Sequence, residues 1–83
     1  MHEAAAAHSI VKAACLVASE REAGIRALTL EVDHDASDPV AIEWHMRAAA
    51  IGTAVEDAHL IVRNSSGLGH GAIRLVSVTL VDL

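Results

Sequence analysis

Residues 25–44 read IRALTLEVDHDASDPVAIEW, and three signals in this stretch decide the fold. Leu28, Leu30 and Val32 alternate with Thr29 and Glu31, which is the period of a strand with one buried face. The polar segment DHDASDP then breaks the pattern. Asp38 stands directly before Pro39. An aspartate accepts hydrogen bonds from the orphan amides of a helix start, and proline is tolerated at the first helical position. The stretch predicts a strand, a short loop and a capped helix.

Working outward, the capped helix runs from about Pro39 to Ile51 and stops at Gly52. Ile42, Met46 and Ala49 form one apolar row, and Val40, Trp44, Ala48 and Ile51 form a second. Glu43 and Arg47 are spaced for an i, i+4 ion pair. The second row is wider than one sheet needs, so Trp44 belongs either to the core or to a partner contact. Upstream, residues 4–23 read as a helix. Ala7, Ile10, Val11, Ala14, Val17 and Ala18 make its apolar stripe, and Gly24 is a suitable left-handed stop. Downstream, AHLIVR (58–63) alternates as a second strand. NSSGLGHG (64–71) then connects to IRLVSVTLVDL (73–83), a third strand. The apolar phase of this last strand slips between Leu75 and Val78, which places a bulge near Val76–Ser77.

The order is α-β-α-β-β over a single domain, residues 1–83. The fold class is α/β in the broad sense, an α+β two-layer arrangement: a three-stranded mixed sheet with two helices packed on one face. The core is economical. Apolar residues make up 53% of the chain, with one Trp and neither Phe nor Tyr, so elements pack closely through Ala, Val, Leu and Ile.

Composition excludes several functions. A net charge of −5 with no basic stripe argues against nucleic acid. A lone Cys15 gives neither an internal disulfide nor a CxxC zinc site, and it reads as a buried thiol in a reduced, cytoplasmic protein. No apolar run spans a bilayer, and Glu3 and Lys12 interrupt any secretory-signal pattern. No catalytic constellation or phosphate loop is present, so the chain does not read as an enzyme.

The candidate chemistry lies in Met1, His2 and Glu3. A bulky second residue disfavours removal of Met1, which leaves a free α-amine with a pKa of about 7.7–8.0. The amine, the His2 amide nitrogen and the His2 imidazole are linked by chelate rings, and they lie in one plane once the amide proton is displaced. Square-planar ligation of this kind favours Cu(II) or Ni(II), whereas zinc prefers a tetrahedron. The fourth ligand is the Glu3 nitrogen or a carboxylate from elsewhere. The same residues also suit a frayed chain end, with Glu3 in the positive first turn of a helix. His34, between Asp33 and Asp35, reads as part of a solvated acidic loop. His8, His45, His59 and His70 read as surface or interface residues.

Taken as a whole, the chain resembles the HypA/HybF family of nickel metallochaperones. That family opens with Met-His-Glu and a helix of the type MHE…A.SIV..A, matched by Met1, His2, Glu3, Ser9, Ile10, Val11 and Ala14. Its second helix and next strand follow PeALeFAFe…GT…A.L.I, matched by Pro39, Ile42, Met46, Gly52, Thr53, Ala58, Leu60 and Val62. Its last strand, of the type LRVKSIEV, is similar to IRLVSVTLV here. The resemblance implies nickel(II) held by Met1, His2 and Glu3, with Asp38 as a further carboxylate ligand. It implies service to a nickel–iron hydrogenase or a urease, alongside a nickel-handling GTPase and a maturation complex. A homo-oligomer is compatible with it.

Two departures stand out. The family's zinc domain, with two CxxC pairs, is replaced by the loop 64–71, and Asp33-His34 stands where the family has Gly-Glu. No structural zinc is therefore expected. The alternative is a degenerate interaction module that kept the fold and lost the metal. A sheet complete without a zinc domain gives thermal unfolding that is unchanged by excess EDTA on metal-free protein. A large loss of stability on chelation would expose a structural ion.

Overall fold

The computed structural model describes residues 3–33, 38–65 and 73–82. Helix α1 spans Glu3–Arg21, strand β1 Ala23–Asp33, helix α2 Pro39–Ala50, strand β2 His59–Ser65 and strand β3 Ile73–Asp82. The sheet has the order β2-β1-β3. β1 pairs with β2 in parallel and with β3 antiparallel, which makes the sheet mixed as the sequence predicts.

The alternation of IRALTLEV is realised at the centre of the sheet. Leu28, Leu30 and Val32 have no solvent exposure. Above them lie Ala7, Ile10, Val11, Ala14 and Ala18 of α1, with Ile42, Met46 and Ala50 of α2. The seam between the two helices is the most extensive contact outside the sheet. Alanines at 7, 14 and 18 make this close approach feasible, because a methyl group holds the backbones little apart. Burying a Val, Leu or Ile side chain contributes about 1.5–3 kcal/mol, so the β1 triplet is a large share of the core.

Several expectations change in detail. Val17 is 38% exposed rather than part of the stripe. Each helical residue advances by about 100°, which puts Val17 about 80° off the line through Ala7, Ala14 and Ala18. Gly24 does not stop α1 but lies inside β1. The left-handed residue is Glu22, with φ of 52°, and it alone separates the helix from the strand. Its amide donates to the Ser19 carbonyl at 3.2 Å. Cys15 is only partly buried, at the edge of the core. Glu43 and Arg47 form no ion pair among the described residues. Instead Arg47 Nη1 donates to the Ala58 carbonyl at 3.1 Å, tying α2 to the start of β2.

Gly52 does end α2, with φ of 77°. The Thr53 hydroxyl then donates to the Ala50 carbonyl at 2.7 Å and accepts the Val55 amide at 3.1 Å. The Gly-Thr pair thus turns the chain, closes the helix and delivers Val55, 1% exposed, into the core.

The bulge foreseen in β3 is present. Ser77 faces Thr29 and Leu75 faces Leu30, leaving Val76 as the extra residue. A second irregularity, not foreseen, lies at Arg26 of β1, between Ile25↔Leu80 and Ala27↔Thr79. Leu75, Val78 and Leu80, which the strand period would bury against the helices, pack against the core but stay half-buried, because β3 is an edge strand. Asn64 and Ser65 belong to β2, so the expected loop starts later; residues 66–72 lie outside the described residues. β2 and β3 are not hairpin neighbours but opposite edges, with β1 between them.

The two left-handed positions make a paired test. Glu22→Gly should raise stability by up to about 1 kcal/mol, by relieving a side chain forced to positive φ. Gly52→Ala should lower it by about 1 kcal/mol through backbone strain alone, since an added Cβ there meets nothing within 4 Å. Urea denaturation of the three proteins measures both.

Candidate metal centre

Chain direction brings the two helix starts to one end of the sheet. α1 reverses through the single residue Glu22 and packs on β1 and β3, so it runs against β1. α2 follows β1 after a short connection and returns the chain to β2, which is parallel to β1. It too runs against β1. The helices are therefore roughly parallel, and both start at the end where β1 and β2 finish. In α/β units, ligands favour this carboxyl end of parallel strands.

Asp38 caps α2 as the sequence predicts. Its backbone is extended, and its Oδ1 accepts the Val40 amide at 3.0 Å. Its carbonyl accepts the first helical bond, from the Ile42 amide, at 3.0 Å. The carboxylate is exposed, and Oδ2 has no partner among the described residues. A cap aspartate can therefore keep one oxygen for the helix and offer the other to a cation.

Of the remaining candidate ligands, Met1 and His2 lie outside the described residues. Glu3 opens α1, and only its backbone is described. His34 and His70 also lie outside. His8 and His59 are exposed, as expected. His45 is half-buried, and its ring meets that of Trp44 edge-on at 5.2 Å and 84°. Among the described residues, no three His, Cys, Asp or Glu side chains gather as a metal cluster.

Asp33 corrects the sequence reading. It is the last residue of β1 rather than part of a solvated loop, and at 6% exposure it is the one buried charged residue among those described. It sits opposite Ser65 in the parallel register, at the same end as Asp38. Alternation alone groups Asp33 with Thr29 and Glu31 on the face away from the helices. Thr29 and Glu31 on that face are only half-buried, so alternation carries no signal for the burial of Asp33.

The electrostatics of this end are specific. Each helix start carries a partial positive charge of about half an elementary unit, which repels a cation. Carboxylates must offset two such dipoles before a dication is held. Asp33 and Asp38 lie at this end in the structure, and Asp35 lies between them in sequence.

Removing the cap separates structure from ligation. Asp38→Ala should cost about 1 kcal/mol of stability, and Asp38→Ser should recover most of it by accepting the same amide. Thermal unfolding of both variants without metal measures the cap alone. Among the described residues, no helix is long and apolar enough to cross a membrane. No family model, no curated protein and no solved structure matches the chain.

Proposed function

We propose that this chain is a cytoplasmic nickel(II)-binding protein of metallochaperone type. It carries the metal as cargo for a nickel enzyme rather than acting as an enzyme itself. The reading rests on the sequence Met1-His2-Glu3, supported by the parallel helices that start α1 and α2 at one end of the sheet. In this reading Met1 is retained with a free amine. The amine, the His2 amide and the His2 imidazole take three corners of the plane, and the Asp38 carboxylate takes the fourth, opposite the His2 amide, a corner that the adjacent Glu3 nitrogen cannot reach. The proposed client is a nickel–iron hydrogenase or a urease, with a nickel-handling GTPase as partner. No structural zinc takes part.

Such a site suits delivery. An open chelate at a chain terminus exchanges its metal more readily than a buried cage. Its ligands also bind protons near neutrality, so affinity is tied to pH. Both the amine and the imidazole must lose a proton before they ligate. Their ordinary pKa values are about 7.7–8.0 and about 6.5, so these two groups alone should lower affinity by about a hundredfold from pH 8 to pH 6, and release of the His2 amide proton steepens the fall.

Calorimetry with Ni(II) is the direct test. One-to-one binding is expected for protein whose N-terminus is verified by mass. A single residue added before Met1, or His2→Ala, should remove most of the affinity. Asp38→Ser should bind more weakly than the native protein while keeping its stability. Equal binding by the native and extended proteins would rule out the terminal site.

One observation favours a second reading, a module that keeps the fold for protein contacts alone. The outer row of α2 remains exposed, with Trp44 on the surface. In that case Ni(II) binding is absent and the α2 face carries the function.

A further inference from the structure

The second apolar row of α2 does not enter the core. Val40 is 75% exposed, Trp44 67% and Ile51 70%. Trp44 is the chain's one aromatic residue apart from histidine, and it stands in water. With Val40, Glu43 and Arg47 it lines an open groove of about 270 Å³. His45 braces it edge-on. Arg47 is held in place by its bond to the Ala58 carbonyl, so the groove has one fixed cationic wall.

The order of residues along this face says what fits it. Val40, Trp44, Arg47 and Ile51 follow one another at intervals of four, three and four, the spacing of a helix–helix seam. The sequence of this seam is self-complementary when reversed. An antiparallel copy, with its two-fold axis between His45 and Met46, puts Val40 against Ile51 of the second copy. It puts Trp44 against Arg47 of the second copy, a guanidinium over an indole face. Glu43, which forms no ion pair with Arg47 of its own helix among the described residues, then flanks Arg47 of the second copy. Each of these contacts occurs twice, as an isologous interface requires.

We propose that α2 is a self-docking surface through which two copies of this chain associate, antiparallel, about a two-fold axis. The seam is a single helix face, below the roughly 1,000 Å² of a stable interface, so the dimer is weak and forms at high concentration.

Sedimentation velocity on metal-free protein up to about 1 mM, where a Kd corresponds to only about −4 kcal/mol, reads the association directly. Trp44 emission should shift to the blue over the same range, with no Tyr or second Trp to obscure it. Trp44→Ala should abolish association. Val40→Glu should do the same while keeping the helix, since an acid in the first turn is favoured there. Glu43→Arg and Arg47→Glu should each weaken self-association at least tenfold, and an equimolar mixture of the two should recover it, because every charge then faces its opposite. Circular dichroism confirms that each variant is folded. A monomer at all concentrations would overturn the proposal. So would a dimer indifferent to Trp44→Ala and Val40→Glu, a mixture that stays monomeric, or a different protein seated on Trp44 of a strictly monomeric chain.

Discussion

One strand bears on every other element. β1 is hydrogen-bonded along both edges and covered by both helices on one face, so Leu28, Leu30 and Val32 leave water completely. The corresponding residues of β3 remain half-buried because that strand lies at the edge. With β1 in the middle, the remaining choices narrow. The helices must share the single face that the triplet makes apolar. Alanine at the seam lets two helices fit over only three strands. Glu22 accepts a left-handed backbone because α1 must turn at once into the strand beneath it.

The same constraint organises the charges. Two helices that run against β1 direct their positive ends to one edge of the sheet, where Asp33 and Asp38 lie. The opposite face of the sheet is polar. There Glu31 lies between Arg63 and Arg74 in the register, and Arg74 Nη2 pairs with its Oε1. An exposed pair of this kind contributes less than about 1 kcal/mol, so its effect is to keep that face soluble more than to hold it together. The carboxylates at the helix starts act differently. They sit where two dipoles reinforce each other, and Asp38 already satisfies one amide. The proposed nickel site would inherit a scaffold in which negative charge has a structural reason to be present.

Local chemistry made much of this legible in advance. Alternation marked β1, Asp-Pro marked the start of α2, Gly52 marked its end, and the slip between Leu75 and Val78 marked the bulge near Val76–Ser77. Each signal depends on residues adjacent in sequence. What escaped depends on distant partners. Nothing near Arg47 shows that its guanidinium will reach Ala58 rather than Glu43. Nothing near Arg26 shows that β1 must carry a bulge of its own. Asp33 looks solvated until β1 is known to reach it and pair it with Ser65. Gly24 looks like a helix stop until α1 is known to enter a strand within one residue. The candidate site divides in the same way. Asp38 could be read as a cap and was found as one, and Glu3 was read in the first turn of a helix and opens α1, whereas Met1 and His2 lie outside the described residues.

The placement of β3 has a consequence for how the chain is made. β3 is the last of the five elements in chain order, yet it pairs with β1, starting from Ala23↔Asp82. During synthesis from the N-terminus, α1, β1, α2 and β2 emerge first. Until β3 follows, one edge of the most apolar strand stays open. Open strand edges on incomplete chains invite aggregation. The two helices can already cover the apolar face at that stage, but not that edge. The first edge of β1 can close once β2 has emerged, whereas the second stays exposed until Asp82 follows, so the nascent protein keeps an aggregation-prone edge to the end of this fold.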